Sequence, residues 1–200
     1  MAKINLTTRL NLKIVGVVLL LMIVVSAYNY WLLRNEEDCK NIKLMTAVTD
    51  FLVKQKPAGS FSDMAVRQGA AGRGGPEQVL AINKELQPIM NKVLVPNDKI
   101  KFGFYSRQQE SIVAIGPHYD ASLLIGVELG RYESFYEANT DQILERQNSF
   151  VWHGARVISH IRPITENGVV IGHAFAILNQ DAVYASIWRR TVNAFLGAFL

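Results

Sequence analysis

The chain has 200 residues, half of them hydrophobic and 19% charged, with a net charge of +4. That apolar fraction excludes wholesale disorder, and the lone cysteine, Cys39, excludes a disulfide-stapled fold or a cysteine-based zinc site. Lys and Arg are scattered without a long basic run, so no nucleic-acid partner is expected.

Residues 14–33, IVGVVLLLMIVVSAYNYWLL, contain no Asp, Glu, Lys or Arg. A spanning helix needs ~20 mostly apolar residues at ~1.5 Å each, so this run predicts a transmembrane helix. Lys3, Arg9 and Lys13 precede it with no acid among them. Residues 1–13 are therefore expected in the cytoplasm, and the chain beyond the span outside it. Tyr28, Tyr30 and Trp31 take the far interface, where amphipathic aromatics settle. A cleaved signal peptide is the competing reading, with Val25-Ser26-Ala27 supplying small residues. The apolar run continues past that point, which favours an uncleaved anchor.

Residues 35–55 read as a helix, with Leu44, Val48, Phe51, Leu52 and Gln55 on one stripe. No Pro or Gly separates them from the span, so one long helix is expected, broken at Pro57. The stripe predicts a homodimer through paired parallel helices; covering the domain's own sheet is the other use open to it. Residues 58–75, rich in Gly, Ala and Ser, read as a loop. Gly69, Gly72, Gly74 and Gly75 lack the strand and the Lys-Ser/Thr of a phosphate cradle, so they read as a connector. A helix then starts at Pro76 and Glu77, is disturbed at Pro88 and is over by Pro96.

Beyond Lys99 the pattern turns to strands. Residues 101–107 and 111–116 form a hairpin across three polar residues. A turn covers 117–122, 123–129 is ambiguous, and 131–147 reads as helical. Residues 150–153 make a short strand closed by Gly154. Residues 156–165 and 169–178 pair across Asn167-Gly168, a dipeptide suited to a two-residue hairpin loop. Residues from 180 onward are helical. The last ten, TVNAFLGAFL, come after Trp188-Arg189-Arg190 and are too short to span. We read residues 188–200 as the start of a second membrane helix and 34–187 as an extracytoplasmic domain. The expected fold class is α+β: one five-stranded antiparallel sheet with a long N-terminal helix.

The stretch Gly103-Phe104-Tyr105-Ser106-Arg107, then Ile112 to Pro117, resembles a subset of kinase sensor domains, and residues 164–173 resemble their last hairpin. Over about 35–186 the layout resembles the extracytoplasmic PAS-like, single Cache sensor domains of bacterial transmembrane receptors. The resemblance implies strand order 2-1-5-4-3, a ligand pocket over one sheet face, and a place between two membrane helices of a histidine kinase, cyclase or chemoreceptor. No such output module occurs in the 200 residues. A kinase or cyclase module is expected to lie further along a longer protein, and no catalytic activity is expected here. A membrane-tethered binding or scaffold module without signalling is the alternative.

A two-residue loop at Asn167-Gly168 would set Arg162 opposite His173 and His160 opposite Phe175. His160, Arg162 and His173 would then share one face, framed by Ile158, Ile164, Ile171, Phe175 and Ile177. Cationic groups in an apolar frame need a partner. A small anionic ligand such as a carboxylate fits the Arg fork; pairing with Glu128, Glu133 or Glu137 is the structural use. Tyr105 and Arg107 on the first strand, and His118 and Tyr119 from the adjoining turn, would complete the wall, closed by residues 116–147. The spacing of His118, His153, His160 and His173 does not suit a metal, and no cofactor is expected.

Overall fold

The computed structural model describes residues 6–95, 99–116, 146–152 and 154–197. Its contacts divide the chain into two units, Met1–Lys40 with Asp181–Leu200, and Asn41–Gln180. Helix α1 runs over Leu6–Gln55 as one element, and ends just before Pro57.

In the second unit α1 leads to α2 (Phe61–Arg67) and α3 (Gly75–Met90), then to strands β1 (Ile100–Ser106), β2 (Ser111–Gly116), β3 (Arg146–Trp152), β4 (Ala155–Glu166) and β5 (Val169–Asn179). The short helix α2 corrects the reading of 58–75 as loop. Ser60 Oγ accepts from Asp63 N at 3.1 Å and Asp63 Oδ2 accepts from Ser60 N at 2.7 Å, a reciprocal cap. Phe61, Met64 and Ala65 then bury at helical spacing. Pro88 sits inside the last turns of α3 rather than ending it. Arg146 and Gln147, expected in a helix, open β3; the rest of the 131–147 expectation lies outside the described residues.

The fold is α+β with a long N-terminal helix. Strands β1, β2, β4 and β5 make an antiparallel sheet, and β3 pairs along the outer edge of β4, giving the order β2-β1-β5-β4-β3. One face packs on helices: Phe61 of α2 meets Phe104 edge-on with ring centroids 6.3 Å apart. Phe102, Phe104, Ile82, Leu86, Met64, Met45 and Leu52 are fully buried. Each such side chain contributes ~1.5–3 kcal/mol by leaving water. Gly172 lies under the Phe61 ring, where a Cβ would press on that ring and on the Tyr105 carbonyl. Val48 and Leu52 of the expected stripe are buried within this unit, centred on Met45 and Thr49, whereas Phe51 and Gln55 are exposed and Leu44 is half-buried.

The β4–β5 hairpin has its two-residue loop. Asn167 and Gly168 adopt φ of 51° and 80°, and Glu166 faces Val169 as expected. Beyond Thr165–Val170 the register shifts by one. Ile164 faces Gly172, Pro163 faces His173, Arg162 faces Ala174 and His160 faces Ala176. The extra residue is Ile171, whose carbonyl accepts from Arg107 N of the β1 end at 3.0 Å. Pro163 has no N–H to give, and it lies two residues past Ile161, the last β4 residue paired with a described residue of β3.

In the first unit, the segment of α1 up to Lys40 pairs with α4 (Gln180–Gly197), which begins directly after β5. The helices run antiparallel. Tyr184 meets Arg34 and Asp38, Trp188 meets Tyr30 edge-on at 5.8 Å, and Phe195 shares a groove with Ile23. One helix, Leu10–Gln55, is long and apolar enough to cross a membrane by length and composition.

Candidate functional site

The register shift separates the residues expected together. His160 and Arg162 stand on the helix-covered face, and His173 stands on the other with Tyr105. His160 is buried against α1. Thr49 Oγ1 lies 2.9 Å from His160 Nδ1 and Thr46 Oγ1 3.3 Å from Nε2. The Thr49 hydroxyl proton is directed to the Met45 and Thr46 carbonyls at 3.1 and 3.0 Å. Toward His160 the Thr49 oxygen therefore accepts, which places the proton on Nδ1 by the hydrogen-bond network. Arg162 pairs with Asp50 of α1, and the alternative partners Glu128, Glu133 and Glu137 lie outside the described residues. Both side chains are about a third exposed, 37% and 35%. Asp50 neutralises the charge that was expected to meet a ligand. Thr46, Thr49 and Asp50 are the residues that sequence reasoning missed; their signal was polarity inside an otherwise apolar stripe.

The second face carries the remaining candidates. Tyr105, His173, Ser159, Ile161 and Phe175 are all buried there. The Tyr105 and His173 rings lie 6.4 Å apart. Burial drives the His173 pKa from 6.5 down to about 4, and the neighbouring Arg107 guanidinium pushes it the same way. Ser159 Oγ is buried with no hydrogen-bond partner among the described residues. Arg107 is exposed at the end of β1 and makes no ion pair with a described residue. It also lines an open cavity of about 450 Å³ with Ser60, Ser106, Glu110 and Ile171 at the hairpin end of the sheet. His118, Tyr119 and His153, and the segment expected to close the pocket, lie outside the described residues.

In the first unit the Arg34 guanidinium sits over the Tyr184 ring, 4.1 Å from its centroid, and Tyr184 O–H donates to Asp38 Oδ2 at 2.8 Å. Burial first, and the bond to Asp38 second, raise the Tyr184 pKa, so the phenol stays a donor. Among the described residues no three His, Cys, Asp or Glu side chains gather as a metal site.

A family model described as the AtoS N-terminal domain matches residues 7–185, and the chain belongs to that family. AtoS is the sensor histidine kinase of the AtoSC two-component system, so the family points to the sensor part of such a system. With the apolar N-terminal helix it also points to a membrane protein. No curated protein matches the chain.

Proposed function

We propose that this member of the AtoS N-terminal domain family is the ligand-sensing input region of a membrane receptor, with residues 41–180 a PAS-like unit of the single Cache type. The ligand is a small molecule, bound on the sheet face that carries Tyr105, Ser159 and His173. The observation that carries this reading is the set of buried polar side chains on that face, with Tyr105 beside His173 and Ser159 further along it past Ile161 and Phe175. A buried hydroxyl left unbonded costs ~1–3 kcal/mol, and a ligand group would remove that cost. Arg107, beside His173 and without an ion-pair partner among the described residues, supplies the positive charge that Arg162 does not. A carboxylate remains the fitting guest.

Signalling would proceed by differential binding: a ligand shifts an equilibrium only by preferring one conformation. His173 lies on β5, and β5 passes into α4 with no connecting residue, so strain at the ligand face has a covalent route to the membrane-proximal helix.

The test uses the full chain in detergent micelles and a thermal-shift panel of short carboxylates. Arg107→Gln should weaken the best hit ten- to a hundredfold, the range of one charge-assisted contact. Arg162→Gln should bind it as the parent does. Parent-like binding by Arg107→Gln, or loss of binding only in Arg162→Gln, overturns the site.

A further inference from the structure

The first unit contains a groove of about 700 Å³ between α1 and α4. Leu21, Met22 and Val25 of α1 and Phe195 of α4 give it apolar walls, and Ser26, Asn29, Arg190 and Thr191 are its polar members. Asn29 and Leu21 stand a little over two helical turns apart, ~12 Å along the axis. One leaflet of a bilayer is ~15 Å of hydrocarbon, half of ~30 Å. The apolar part of the groove therefore has the length of one acyl chain in one leaflet.

Asn29 and Arg190 lie beside the aromatic segment of α1, with Leu32 and Leu33 lining the groove beyond them. Trp188 packs on Tyr30, which belongs with Tyr28 and Trp31 to the aromatic segment of α1, and Arg190 is two residues further on. Arg190 makes no ion pair with any described residue. A guanidinium beside that aromatic segment, with an apolar slot running from it, matches a phosphate with an acyl tail, and the guanidinium fork binds phosphate with two parallel hydrogen bonds. A second copy of the helix pair fits less well, because it would bring a second Arg190 into the same low-dielectric slot.

We infer that this groove binds an anionic phospholipid of the leaflet at the Tyr28–Trp31 end, its phosphate on Arg190 and Asn29 and one acyl chain along Val25, Met22 and Leu21. The inference rests on the membrane reading of α1. The experiment takes the full chain, delipidated in a non-denaturing detergent, and titrates dioleoyl phosphatidylglycerol and dioleoyl phosphatidylcholine, with retained lipid counted by native mass spectrometry. Phosphatidylglycerol should be held about tenfold tighter than phosphatidylcholine, the order of one charge-assisted contact. Arg190→Gln, at an exposed position, should erase that preference, and Arg190→Lys should keep part of it. Ala194→Trp, which fills the groove, should weaken both lipids. Inorganic phosphate at the same concentration should displace neither. Equal retention of the two lipids by the parent, an unchanged preference in Arg190→Gln, or a dimer that excludes phosphatidylglycerol overturns the inference. Alkaline carbonate extraction separates the two failures. A chain released from membranes refutes the membrane reading itself. A chain retained in membranes without a lipid preference refutes only the groove.

Discussion

His173 shows how far one buried side chain can set a property of the whole unit. Its ring is 2% exposed, and its pKa stands at about 4 against an ordinary 6.5, first from burial and then from Arg107. The folded state thus prefers the uncharged ring more than the unfolded chain does. The stability this contributes is fully present above pH 6.5, where both states are uncharged. It is lost as the pH falls toward about 4, because the unfolded chain takes up the proton first. The loss is on the order of 3 kcal/mol when that window has been crossed. Melting temperatures of the full chain in micelles should fall from pH 7 to pH 4, and His173→Gln should flatten that part of the profile. An equal slope in the variant would assign the acid sensitivity elsewhere.

At the scale of elements, the long helices and the hairpin loop were legible in the sequence, and the hairpin register was not. The α1 apolar run, Pro57 and Asn167-Gly168 are local signals, each written in consecutive residues. The position of the shift is not local. It depends on Ile171 giving its carbonyl to Arg107 of β1 and on Pro163 lacking a donor, facts that need the neighbouring strand in place. One inserted residue exchanged the faces of most of β5, so the triad of His160, Arg162 and His173 was dispersed. Helix α2 was hidden for a similar reason, since its Ser60–Asp63 cap stands within a Gly-rich stretch that reads as loop. The fastening of α1 to β4 by Thr46, Thr49 and Asp50 was the other loss, because a polar residue in an apolar stripe has meaning only once its partner is known. Thr49→Val keeps the shape and deletes the acceptor for His160 Nδ1, removing a buried hydrogen bond worth ~0.5–1.5 kcal/mol. Hydrogen exchange of β4 and β5 amides should accelerate by the corresponding factor. Thr46→Val should change it less, since its oxygen is 3.3 Å from His160 and only part-buried. Parent-like protection in Thr49→Val would show that the Thr49–His160 bond is not what holds β4 to α1.

At the scale of the whole molecule, the antiparallel pairing of α1 and α4 bears on topology. Tyr184 meets α1 at Arg34 and Asp38, Trp188 meets it at Tyr30, and Thr191 lines a groove with Ser26. Helix α4 therefore enters the depth of the apolar run from its aromatic end. Both junctions with the second unit, at Lys40 and Asp181, consequently leave from that end. The side is then chosen by charge. Lys3, Arg9 and Lys13 flank one end of the apolar run with no acid nearby, and by that bias the proposed topology puts this end in the cytoplasm. The cations at the other end are largely engaged: Arg34 with Tyr184, and Lys40 with Glu36 at 2.8 Å. Arg189 and Arg190 oppose the bias, and a lipid phosphate on Arg190 would lessen that opposition. Ala58, exposed just beyond Pro57, is a suitable point for a reporter. A phosphatase that works only outside the cytoplasm should be active when fused there, and a galactosidase that works only inside should be silent. The reverse pair of activities would place residues 41–180 in the cytoplasm. The ligand face would then sample the cell interior, and the lipid groove would lie in the inner leaflet.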